Sequence, residues 1–198
     1  MNLGNLALFA EDFAAARALY EEGAALAERL ENVQRQATAL ENLGCVALGE
    51  GDVERAVELL ERSREVGRAD GTPWQRSSTA RALARALLAR GDPERAAALV
   101  RESLDLTQEL EEPQGTADGL ELLGAVEAAI GDPRRGATLF GAAAALRDSI
   151  AAVHHPDVRR WHERVVASLR DELGVAGYDA AHERGRALSV EEAVAVGV

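Results

Sequence analysis

Between Val33 and Leu48 the apolar positions Val33, Ala37, Leu40, Leu43, Ala47 and Leu48 recur three and four residues apart, the spacing of one face of an amphipathic helix. Gly49 to Gly51 interrupt the pattern, and Asp52 stands where a helix N-cap belongs. Val53, Ala56, Val57, Leu59, Leu60 and Ser63 then restart it in a second helix that runs to about Ala69. In the stretch "DGTPWQ" the chain resets: Thr72 is placed to cap, Pro73 to fill the first helical position, and Gln75 to complete a capping box. The predicted unit is a helical hairpin, helix A followed by helix B.

That unit recurs. Asp12, Asp52, Asp92 and Asp132 form a ladder with a step of forty, and Pro93 and Pro133 follow two of its rungs. Upstream, Leu3, Leu43, Leu83 and Leu123 align, each followed by Gly4, Gly44, Ala84 or Gly124; downstream, Ala16, Ala56, Ala96 and Gly136 align, then Leu19, Leu59, Leu99 and Leu139. A period of this length marks a solenoid, in which each unit buries its apolar face on its neighbours. The expected class is all-α, built of antiparallel helical hairpins. Gly44 and Ala56 lie on opposite helices of one hairpin, where small residues permit close backbone approach, and Ala56→Leu is expected to overpack that contact at a cost of about 1–3 kcal/mol.

Leu43-Gly44, Ala56, Leu60 and the small Ser63 resemble the Leu-Gly, Ala, Phe and Ala positions of the tetratricopeptide repeat. The resemblance covers residues 1–152 as roughly three and a half units. The usual period is 34 residues, so a step of forty implies helices about one turn longer, as in bacterial regulators of the MalT and LuxR types. Leu40, Ala80 and Leu120 replace the aromatic residue at the start of helix A. The resemblance implies a right-handed solenoid whose concave face is lined by helix-A residues, here Asn5, Glu41, Cys45, Arg81, Arg85 and Glu121. A protein, peptide or small effector is the expected ligand. Arg81 and Arg85 lie one turn apart and would either fork a ligand carboxylate or pair with neighbouring Glu residues.

"MNLGNLAL" already holds the interior Leu-Gly pair of a helix A, which suggests a segment of a longer polypeptide. Residues 153–198 leave the repeat and are expected to form a packed C-terminal cap. A helix from about Asp157 to Leu173 carries Trp161, Val165 and Leu169 on one face and stops at Gly174. Two short helices follow, the second opened by a Ser189/Glu192 capping box. The tail "GYDAAHERGRALSVEEAVAVGV" resembles the C-terminal ending of bacterial ATPase-linked and LuxR-type regulators. That resemblance implies the C-terminal module of a larger transcriptional or signalling regulator. The alternative is a freestanding scaffold that self-associates through its first helix.

A net charge of −12 argues against phosphate-backbone binding by this segment. The chain has no lysine, which removes the phosphate-loop lysine, the Schiff-base lysine and the pyridoxal-phosphate anchor. Cys45 stands alone, which excludes an intramolecular disulfide and suits a reducing compartment, so the expected location is cytoplasmic. No apolar run reaches the roughly 20 residues of a membrane span. His154, His155 and His162 lack the spacing of a zinc-enzyme motif and are expected to be solvated or loop-capping. No convergent acid, base or nucleophile is apparent, so neither catalysis nor a metal or cofactor is expected.

Overall fold

A computed structural model describes residues 3–154 and 156–196, and among these it forms eleven helices. Four hairpins come first: α1 (Leu3–Phe9) with α2 (Phe13–Arg29), α3 (Val33–Glu50) with α4 (Val53–Asp70), α5 (Pro73–Arg90) with α6 (Pro93–Glu109), and α7 (Pro113–Ala129) with α8 (Pro133–Ser149). Then come α9 (Pro156–Leu173), α10 (Val175–Arg186) and α11 (Val190–Val196). No described helix is long and apolar enough to cross a membrane.

The aspartate ladder is the punctuation of this array. Asp12, Asp52, Asp92 and Asp132 each accept a hydrogen bond from the backbone N–H three residues on, at 3.0, 3.1, 3.3 and 2.9 Å. Each satisfies one of the N–H groups that a helix start leaves without an intrahelical partner. The residue before each rung turns left-handed, and in three of the four it is Gly51, Gly91 or Gly131, where a missing Cβ makes that conformation easy. Thr72 caps α5 through the Gln75 N–H at 3.2 Å. The expected capping box is one-sided, however, because the buried Gln75 side chain turns inward and donates to Thr79 Oγ1. Ser189 and Glu192 do form the reciprocal box, at 2.8 and 3.2 Å.

A continuous apolar core links the second, third and fourth hairpins, with Leu60, Leu87, Val100, Leu120 and Leu123 fully enclosed, while the first hairpin packs on α3 through Leu8, Ala16, Tyr20 and Val46. Where the repeat places a small residue on helix B, Ser63 and Ser103 sit against Ala37 and Ser77 of the preceding helix A. Ser63 donates to the Ala37 carbonyl at 2.7 Å, and the Ser77 and Ser103 hydroxyls meet at 2.9 Å, so these buried hydroxyls are satisfied. The last hairpin shows the close approach expected of the Gly44/Ala56 pair: a Cβ on Gly136 would stand 2.6 Å from the Gly124 carbonyl oxygen. Gly44 itself makes room for Leu60, which would meet a Cβ at 2.5 Å.

Helices α8 and α10 touch backbone to backbone. A Cβ on Gly141 would lie 1.9 Å from the His182 carbonyl oxygen, and one on Gly185 1.8 Å from that of Thr138. A second apolar cluster, Ala137, Phe140, Leu169, Tyr178 and Ala181, fastens α9 and α10 to α8, with Trp161 and Val165 packed against it. Helix α9 also reaches the other end of the array, where Arg160 meets Glu11 at 2.6 Å.

Candidate functional site

The first helices of the four hairpins, α1, α3, α5 and α7, present their residues to one groove, and α9 lies along it. A cavity of about 260 Å³ between them is lined by Asn5, Glu41, Cys45, Arg81, Arg85 and Glu121, together with Trp74, Asp118 and Trp161. All six positions that the tetratricopeptide resemblance implied therefore border one cavity. A second cavity of about 270 Å³ is bounded by Leu8, Phe13, Leu48 and Trp161, and holds Arg85, Arg160 and Arg164. Trp161 and Arg85 border both cavities.

Within the groove, charges are held by neighbouring repeats. Glu41 of α3 accepts from the Ser78 and Thr79 hydroxyls of α5, each at 2.5 Å. Burial pushes its carboxyl above the ordinary 4.5, and the two hydroxyls with Arg81 and Arg85 only partly oppose that rise. Arg81 donates to Ser77 Oγ at 2.7 Å and stands 3.9 Å from Asp118. Its ion-pair partner is therefore an aspartate on the next hairpin, and its guanidinium is turned into the α5, α6 and α7 junction. Arg85 reaches back to Cys45 Sγ at 3.8 Å. Arg81 therefore meets Ser77 and Asp118, whereas Arg85 meets Cys45 of the preceding hairpin. Asn5 accepts from Tyr20 Oη at 2.7 Å, which ties it to α2.

Glu121 is the most enclosed of the six, 1% exposed. Arg147 of α8 donates through Nε to its Oε1 at 3.1 Å and through Nη2 to Asp118 at 2.5 Å. His154 Nε2 lies 2.8 Å from the same Oε1, and His162 Nδ1 3.3 Å from Oε2. Burial would raise this carboxyl, yet His154, His162 and Arg147 outweigh it and hold it down at about 2. The expectation of solvated or loop-capping histidines is corrected here: His154 and His162 turn inward, their rings 4.1 Å apart, onto a buried carboxylate. His155 lies outside the described residues. Sequence spacing could not reveal this cluster, because Glu121 and His162 meet only when α9 folds back over α7.

The comparisons with known proteins bear on this architecture. Models of the tetratricopeptide repeat match residues 1–69 and residues 77–114. The chain carries a tetratricopeptide repeat domain. Its repeats support a protein-interaction module. The crystal structure of BtubC (BKLC) from P. vanneervenii superposes with a TM-score of 0.67 at 20% identity, over 98% of this chain and 76% of that one. At that identity the likeness speaks for the helical repeat fold alone. No curated protein matches the chain.

Proposed function

We propose that the tetratricopeptide repeat groove binds a protein or peptide segment, and that it acts by binding rather than by catalysis. One observation carries this reading: helix-A residues from four successive hairpins, Asn5, Glu41, Cys45, Arg81, Arg85 and Glu121, converge on a single cavity walled by Trp74 and Trp161. Aromatic walls beside a few placed polar groups are what a ligand site requires. The adjoining cavity adds Leu8, Phe13 and Leu48 next to Arg85, Arg160 and Arg164. That chemistry suits an apolar side chain followed by a carboxylate, as at the end of a peptide chain. Titration of tryptophan fluorescence with a set of peptides ending in an apolar residue provides the test. A free C-terminal carboxylate should bind at least about tenfold more tightly than the same peptide amidated, and Arg164→Glu should erase the difference. Equal affinities for both peptides would sink the proposal.

We place this module in a larger bacterial transcriptional or signalling regulator, working in the cytoplasm. The forty-residue period and the "GRALSVEEA" tail support that reading. An immunoblot of native cells checks it, since a band near the 21.0 kDa of this chain counts against it. A second reading, self-association as a scaffold, is favoured by Leu3 and Leu6 of α1, which are 66% and 45% exposed. Light scattering that shows a strict monomer at high concentration removes it.

A further inference from the structure

The cluster around Glu121 is built from three separate parts of the chain. Helix α7 supplies the carboxylate, the connection after α8 supplies His154, and α9 supplies His162. The three donor atoms lie within 4.8 Å of one another. Zinc bound to nitrogen at about 2.0–2.1 Å and to oxygen at about 2.0–2.2 Å, in a tetrahedron, sets its donor atoms roughly 3.3 Å apart. His162 Nδ1 stands 3.3 Å from Glu121 Oε2, and His154 Nε2 stands 2.8 Å from Oε1, so small adjustments would admit an ion.

A second observation points the same way. Glu121 Oε2 and His162 Nδ1 are both enclosed atoms 3.3 Å apart, and among the described residues neither makes a well-aligned hydrogen bond to the other or to any other group. Two atoms that can each offer a lone pair, placed face to face without a proton well aligned between them, are better satisfied by a cation than by one another. The surroundings have the form that metal sites use to orient their ligands. Arg147 donates at 3.1 Å to Oε1, the oxygen that also faces His154, Asp118 balances that guanidinium at 2.5 Å, and Phe140 covers His162 with its ring centroid 5.4 Å away. With neutral imidazoles, Arg147, Asp118 and Glu121 sum to one negative charge.

We infer that Glu121, His154 and His162 form a binding site for a divalent transition-metal ion, with zinc as the ion that suits two imidazoles and a carboxylate, and that the ion pins α9 across the repeat groove. Because Glu121 also lines the groove cavity, the ion would tie the groove floor to the helix lying along it.

The test uses the full chain freed of metal by dialysis against a chelator, then titrated calorimetrically with zinc chloride alone. The expected result is saturation at one ion per chain, with His154→Gln and His162→Gln each weakening binding at least about tenfold. His182→Gln serves as the control and should bind as the parent does, since that ring stacks on Tyr178, away from the cluster. Histidine acylation of the unaltered protein, mapped by mass spectrometry, answers the same question without depending on variants that fold. Zinc should protect His154 and His162 from the reagent and leave His182 reactive. Absence of saturable binding, saturation indifferent to both histidine variants, or identical acylation with and without zinc would each overturn the inference.

Discussion

At the scale of single residues, Glu41 shows how the groove carries its charge. Burial raises its carboxyl above 4.5, so the folded chain holds this proton more tightly than the unfolded chain does. Ionised Glu41 therefore costs stability at any pH above its folded value, and the cost vanishes below 4.5, where both states are protonated. Glu41→Gln is expected to stabilise the fold at pH 8, and its advantage over the parent should shrink to nothing as pH falls below 4.5. Urea unfolding of both proteins across that range is the check, and an advantage that grows on acidification would contradict the reading. The six groove residues came from the tetratricopeptide resemblance, and the forty-residue register carries them from hairpin to hairpin, because a helix-A position one period on faces the same way. Trp161 and the two histidines were not legible, since their meeting with Glu121 depends on how α9 crosses α7, which no local spacing encodes; Arg147 reaches Glu121 within one hairpin, at the 26-residue separation of Ser63 with Ala37 and Ser77 with Ser103.

At the scale of elements, the helix starts were the most legible feature of the chain, because an N-cap is a contact within four residues. Asp132 makes that contact at 2.9 Å to the Arg135 N–H, so Asp132→Ala should cost about 0.5–2 kcal/mol and Asp132→Ser close to nothing. Thermal unfolding of the pair separates loss of the cap from a general effect of charge. Glycines inside helices are harder to read, because the same letter marks either an empty surface or a backbone contact. Among the described residues nothing lies within 4 Å of where a Cβ on Gly23 in α2 would stand, so Gly23→Ala should stabilise by about 0.5–1 kcal/mol through helix propensity. Gly141 is the opposite case. Its Cβ would strike the His182 carbonyl oxygen at 1.9 Å, and a backbone atom cannot swing aside as a side chain can. Gly141→Ala should therefore destabilise by about 1–3 kcal/mol, and equal effects at the two positions would refute the backbone contact of α8 with α10.

At the scale of the whole molecule, two features of the array pull in different directions. Hairpins stacked in a row couple only to their neighbours, so damage at one end should stay there. Helix α9, however, runs from α8 to α1 and could make the array a closed unit. Its ionic link to the first hairpin, Arg160 with Glu11 in the turn after α1, joins side chains that are 64% and 45% exposed, and such pairs are worth no more than about 1 kcal/mol. The anchorage of α9 and α10 on α8 is far firmer, resting on the enclosed Phe140 and Leu169 and on glycine contacts that admit no side chain. Nearest-neighbour coupling should therefore prevail. Gly185→Ala, whose Cβ would lie 1.8 Å from the Thr138 carbonyl oxygen, provides a local injury at the C-terminal end. Native-state hydrogen exchange should show amides of α8 and α10 opening roughly 5- to 150-fold more often, the equivalent of about 1–3 kcal/mol, while those of α3 and α4 change little. Uniform acceleration through all four hairpins would mean that α9 closes the array into one cooperative body, and that a ligand in the groove would be felt from α1 to α10 alike.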